Sequence, residues 1–180
     1  MELSRRDVLA ALAATGAVAA GSAALDESGV LDVLSEDDPL DEHDIRTLVA
    51  VAEVVYPSAV TGVEAFVTQY VVGRVQDREE YAGGMHEAVA TLDDYARDWH
   101  DAEFAAIDAT ARDELLRQMG VPAASPAPDG LDADRVRYYV VNDLLYALYT
   151  TPTGGELAGI ENPQGFPGGT TSYQRGPDHG

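Results

Sequence analysis

Residues 41–57 read DEHDIRTLVAVAEVVYP. Ile45, Leu48, Val49, Ala52 and Val55 recur in steps of three and four, which puts them on one face of an α-helix, and Pro57 closes the run. The same period governs the next segments of the chain. Phe66, Val67, Tyr70 and Val71 make a second apolar face, entered through Thr61-Gly62-Val63-Glu64, whose Thr and Glu match a capping box. A third helix is predicted to carry Tyr81, Met85, Val89, Leu92, Tyr95 and Trp99 on one stripe, with Tyr95 and Trp99 in the core. Leu115, Leu116 and Met119 mark a fourth, with Gly120 placed to cap its end. Residues 121–130, VPAASPAPDG, form a loop on composition. A fifth helix runs from about Asp132 to Tyr149 through Val136, Tyr139, Val140, Leu144 and Leu148. No convincing alternating strand appears. The expected fold is all-α, a small bundle of about five helices over residues 41–150.

Both flanks differ from this domain. Residues 4–21, SRRDVLAALAATGAVAAG, place Arg5 and Arg6 ahead of an uncharged run from Val8 to Leu25, with small residues that offer A-x-A-like cleavage points. The pattern resembles a twin-arginine (Tat) export signal over residues 1–25, although Val8 stands where an aromatic is commoner. It implies recognition by the Tat translocase, export, and a final position outside the cell or on the outer face of its membrane. Residues 26–40 read as an acidic linker. Residues 151–180 hold 8 of the 17 glycines, so they cannot build a core of their own. Two readings stand, a disordered tail and an extended Gly/Pro-rich arm that orders on a partner. Phe166 and Tyr173 favour the arm, because aromatic residues are depleted in disordered segments.

The chain contains 32 Asp+Glu against 11 Lys+Arg, a formal net charge of −21, and every one of those basic residues is Arg. The carboxylates are dispersed rather than gathered in a tail, a pattern expected of adaptation to high salt, where screening suppresses self-repulsion. Without a basic patch there is nothing to neutralise phosphates, which argues against nucleic acid. Zero Cys removes disulfides, Cys-ligated iron–sulfur clusters and covalent c-type haem. None of His43, His86, His100 and His179 is preceded at three residues by Glu, so the paired units of a di-iron bundle are missing. His100-Asp101-Ala102-Glu103, with Asp98 nearby, is the nearest approach to a metal-ligand cluster, and a solvated acidic helix end is its ordinary explanation. Phosphate-binding, dinucleotide, nucleophile-elbow and zinc-protease motifs do not occur. No catalytic, metal or cofactor-binding residue emerges on this chain.

Several short stretches together resemble the gluconate 2-dehydrogenase subunit 3 family. They are Leu48-Val49-Ala50-Val51-Ala52-Glu53-Val54-Val55-Tyr56-Pro57, then Gly62-Val63-Glu64-Ala65-Phe66-Val67, Leu92-Asp93 and Arg112-Asp113-Glu114-Leu115-Leu116, and finally Leu148-Tyr149-Thr150-Thr151-Pro152 followed by Phe166-Pro167-Gly168-Gly169. Each is weak alone; their order along residues 44–173 carries the likeness. The resemblance implies a small non-catalytic subunit that escorts and stabilises an exported sugar or alcohol dehydrogenase. FAD and substrate would reside on a flavoprotein of the glucose–methanol–choline (GMC) type, with a cytochrome subunit taking the electrons where one is present. Tyr149, Pro152, Phe166, Pro167 and Tyr173 are the candidate partner contacts. Two other readings remain open, a free-standing secreted helical surface protein and an enzyme with a carboxylate-based site.

Overall fold

The computed structural model describes residues 39–159. Its helices are α1 (Glu42–Val55), α2 (Val63–Val75), α3 (Glu79–His100), α4 (Ala109–Gln118), a long α5 and a short α6 (Pro152–Leu157). α5 is continuous through Asp132–Val136, a π turn at Arg137–Val141, and Asn142–Thr150. Single 3₁₀ turns fall at Phe104–Ala106 and Val121–Ala123. Among the described residues there is no strand, as the apolar spacing requires.

α1 is central, packed by α2, α3, α4 and the π turn of α5. Ile45, Leu48, Val51 and Ala52 are fully buried along it, each large aliphatic chain contributing about 1.5–3 kcal/mol. Asp41 starts the helix with a capping box: its carboxylate accepts from the Asp44 N–H at 2.8 Å, and Asp44 accepts from the Asp41 N–H at 3.1 Å. At the other end the Tyr56 hydroxyl donates to the Leu144 carbonyl at 2.8 Å, tying α1 to α5. α3 and α5 lie side by side and antiparallel, because Tyr81 meets Tyr138 and Tyr139, Glu87 pairs with Arg135, and Tyr95 meets Asp132. Gly84 permits that approach: a Cβ there would stand within 2.3–2.6 Å of the Tyr139 ring.

Three sequence expectations need correction. The Thr61–Glu64 capping box does not form; Gly62 is the N-cap of α2, in the left-handed region at φ 70°, with no side-chain cap. Tyr95 and Trp99 are not core residues. The core line of α3 passes from Leu92 to Asp93 and Ala96, Tyr95 is half-buried, and the whole last turn, Arg97 to His100, is exposed, with Trp99 at 61 %. The 121–130 segment is a loop, as its composition indicates, opening with the 3₁₀ turn at Val121–Ala123 and braced by Asp134, which accepts from the Ser125 N–H at 3.0 Å and the Leu131 N–H at 3.2 Å. The arm is not extended from its start. Thr151 caps α6 by accepting from the Gly154 N–H at 3.0 Å, and a Cβ on Gly154 would meet the Ala147 and Leu148 carbonyls at 2.5–2.6 Å. The expected end of α4 is observed, with Gly120 at φ 82° and its N–H donating to the Arg117 carbonyl.

Two crossed histidine–carboxylate pairs join α1 to α3. His43 Nε2 lies 2.5 Å from Asp93 Oδ2, and His86 Nδ1 lies 3.0 Å from both oxygens of Asp44. Asp44 and Asp93 are almost wholly buried, and Asp93 also accepts the Phe104 N–H at 2.9 Å. The hydrogen bond to Asp44, and then the charge of Asp44, hold the His86 pKa above the usual histidine value against the opposing effect of burial. A raised folded-state pKa stabilises fully below the unfolded value of about 6.5, and the contribution is lost as pH rises through the folded value. Since the His86 ring is more than half exposed, solvent screening limits this to roughly 0.2–1 kcal/mol. Between pH 5.5 and 8.5 the wild-type melting temperature should fall a few degrees further than that of His86→Gln. Equal pH slopes for the two proteins would remove the His86 assignment.

Candidate functional site

α2, α3 and α5 converge on a face built largely of tyrosines. The Tyr81 ring lies 5.3 Å from Tyr139 and 6.4 Å from Tyr138, and those two rings meet edge-on at 4.8 Å. The Arg74 guanidinium, from the last turn of α2, stands 5.0 Å over the Tyr81 ring and 6.0 Å from that of Tyr146. Tyr146 and Tyr149, three residues apart on α5 and so on neighbouring positions of its surface, are 57 % and 50 % exposed. The π turn at Arg137–Val141 contains Tyr138 and Tyr139; such turns recur at functional sites.

Beneath this face is Asp143. Its Oδ1 accepts from Arg74 Nε at 2.9 Å and from the Tyr70 hydroxyl at 3.3 Å. Its Oδ2 is buried with no hydrogen-bond partner among the described residues. Burial, and then the negative charge of Asp143, push the hydroxyls of Tyr56, Tyr70 and Tyr81 well above the usual tyrosine value. These phenols therefore stay protonated, as donors, throughout the physiological range.

Away from this face, a concavity of about 200 Å³ opens between α1, α2 and α4, below the roughly 300–1,000 Å³ of typical ligand pockets. Arg112 at its edge is engaged structurally: it pairs with Glu53 at 2.7 Å and donates to the Phe104 and Ala105 carbonyls at 3.3 and 2.7 Å. His100 is exposed on the last turn of α3, Asp101 caps that helix in the left-handed region, and Glu103 turns to Arg97 and His43. Among the described residues no three His, Asp or Glu side chains are grouped to hold a metal ion.

Of the candidate contacts read from the sequence, Tyr149 and Pro152 are both exposed, at the end of α5 and the start of α6. Phe166, Pro167 and Tyr173 lie outside the described residues, as do Arg5 and Arg6. Sequence reading missed Arg74, Tyr138, Tyr146 and Asp143. The available signal was a carboxylate between Val140 and Leu144 on a helix otherwise apolar on that side.

Fold and surface together define an all-α domain, acidic over most of its surface, with one face of tyrosines around Arg74, residue types enriched where proteins meet one another. The chain belongs to the gluconate 2-dehydrogenase subunit 3 family, whose model matches residues 42–168. No curated protein and no solved structure matches it. The matched span reaches past the described residues to include Phe166 and Pro167. No helix among the described residues is long and apolar enough to cross a membrane.

Proposed function

We propose that this chain is a non-catalytic accessory subunit that stabilises, and escorts through the Tat pathway, a GMC-type flavoprotein oxidising a sugar or an alcohol. The observation that carries the reading is the match over residues 42–168 to a family described as a gluconate 2-dehydrogenase subunit, which supports a place for the chain in a dehydrogenase assembly. The tyrosine face supports it by offering a surface of the composition that protein partners bury. In this reading FAD and the substrate belong to the partner, and a cytochrome subunit, where the complex has one, receives the electrons. Arg5 and Arg6 supply the export signal for both proteins, and the complex works outside the cell or on the outer face of its membrane. The lysine-free, acidic composition suits a medium of high salt.

The test is purification of the full-length tagged chain from its native cells without denaturant, at the salt concentration of its growth medium. FAD and sugar- or alcohol-oxidising activity are expected to co-elute with the chain in constant ratio. A chain that elutes alone and free of flavin overturns the proposal.

A further inference from the structure

We propose that Arg74 anchors the subunit contact, its guanidinium receiving a carboxylate from the flavoprotein partner. This rests on the partner reading above and adds the site and the chemistry of the contact. Arg46, Arg97, Arg112 and Arg135 direct their terminal nitrogens to carboxylates of this chain. Arg117 engages Asp113 through Nε, and Arg78 and Arg137 pair with no carboxylate among the described residues. Arg74 is distinguished by its setting, bound through Nε to a buried carboxylate and standing over two tyrosine rings. Its Nε donates to Asp143, while Nη1 and Nη2 pair with no carboxylate among the described residues.

Three features prepare that fork for a ligand. Asp143 is buried and keeps a second oxygen unpartnered, so its negative charge bears on Arg74 and fixes the guanidinium in place. The Tyr81 and Tyr146 rings flank the cation and would exclude water from an incoming group, which strengthens a charge-assisted pair. Charge complementarity supplies the third. On a chain of net charge −21, a partner's carboxylate meets repulsion over most of the surface, and a guanidinium flanked by aromatic rings is a place that can receive it. Arg among tyrosines is also the composition in which binding energy concentrates, and a carboxylate matches its planar fork in a bidentate pair.

The experiment uses the full-length tagged chain purified from native cells lacking the wild-type copy, and reads FAD co-eluting per chain. Arg74→Lys keeps the cation beside Asp143 but loses the fork; flavin retention is expected to fall about tenfold. The pair Arg74→Gln with Asp143→Asn removes both charges together, so no buried carboxylate is left uncompensated, and about a thirtyfold loss is expected. Circular dichroism and melting temperature report whether each variant is folded. Should either fail to fold, Tyr146→Ala decides, since an exposed ring can be removed without opening the core; a fall of about fivefold is expected.

Wild-type flavin retention by folded variants overturns the inference while leaving the accessory-subunit reading intact. Wild-type chain without flavin overturns that reading, and the inference with it. Dimerisation of the isolated chain that is abolished by Arg74→Lys also overturns the inference, because the face would then belong to a second copy.

Discussion

Replacing Arg5 and Arg6 together by Lys is expected to empty the cell-surface fraction of both this chain and its flavin-linked dehydrogenase activity. Arg and Lys carry the same charge, so the positive character of the proposed signal's first segment is unchanged. What is lost is the planar five-donor guanidinium, which an ammonium cannot reproduce at a site that reads geometry. The substitutions lie far in sequence from residues 42–159, which hold the helical domain, so folding should be unaffected. In the escort reading the partner folds around FAD before export and travels on this chain's signal. The double variant should therefore hold the FAD-loaded partner in the cytoplasm, with total activity conserved and its distribution reversed. The measurement is flavin-linked oxidation in cytoplasmic and surface fractions, wild type against variant. If the partner reaches the surface while this chain stays inside, escort is wrong and only stabilisation remains.

Removal of the C-terminal arm is the second large effect. The place of the cut matters. Ending the chain after Thr150 would also delete α6, whose Gly154 sits against the Ala147 and Leu148 carbonyls and whose Thr151 hydroxyl donates to the Ala147 carbonyl at 2.7 Å. A chain ending at Gly159 spares that contact and removes Phe166, Pro167 and Tyr173. If those residues anchor on the flavoprotein, losing a buried aromatic anchor costs about 2 kcal/mol or more, roughly a thirtyfold fall in affinity. Flavin retention by the shortened chain reports this directly, and its helical signal should match the wild type. Undiminished retention would assign the tail no part in binding.

Most of the helices were legible in the sequence because they are amphipathic and pack an apolar face inward, so the period of about 3.6 survives in plain view; α2, apolar on most sides, shows it least. Leu48, Val67, Leu92, Leu115 and Leu144 are buried where that period puts them. Periodicity fails where a helix outruns its neighbours. Trp99 falls on the apolar stripe of α3, but nothing packs on the last turn of that helix, and helix period carries no information about where the supporting elements stop. The Thr61 box failed for a local reason: the left-handed Gly62 starts α2 one residue later than the box requires.

Less of the candidate site was legible. Tyr149 and Pro152 come from the family likeness, and both are exposed. Arg74, Asp143 and Tyr81 come from three different helices, and their meeting depends on tertiary packing that one sequence does not encode by spacing. The same holds for His43 with Asp93 and His86 with Asp44, pairs separated by 50 and 42 positions. Buried carboxylates on apolar faces were the one available hint, since a charge is seldom buried without a partner.

The measurement closest to the central claim compares turnover by the native assembly with turnover by this chain released from it. After purification in complex, the subunits are separated, and each is assayed for FAD and for oxidation of sugars and alcohols with an artificial electron acceptor. The account predicts that flavin and all turnover stay with the partner, that this chain alone has neither, and that the separated partner loses activity faster than the complex. Oxidation of substrate by this chain when it is free of flavin would contradict it.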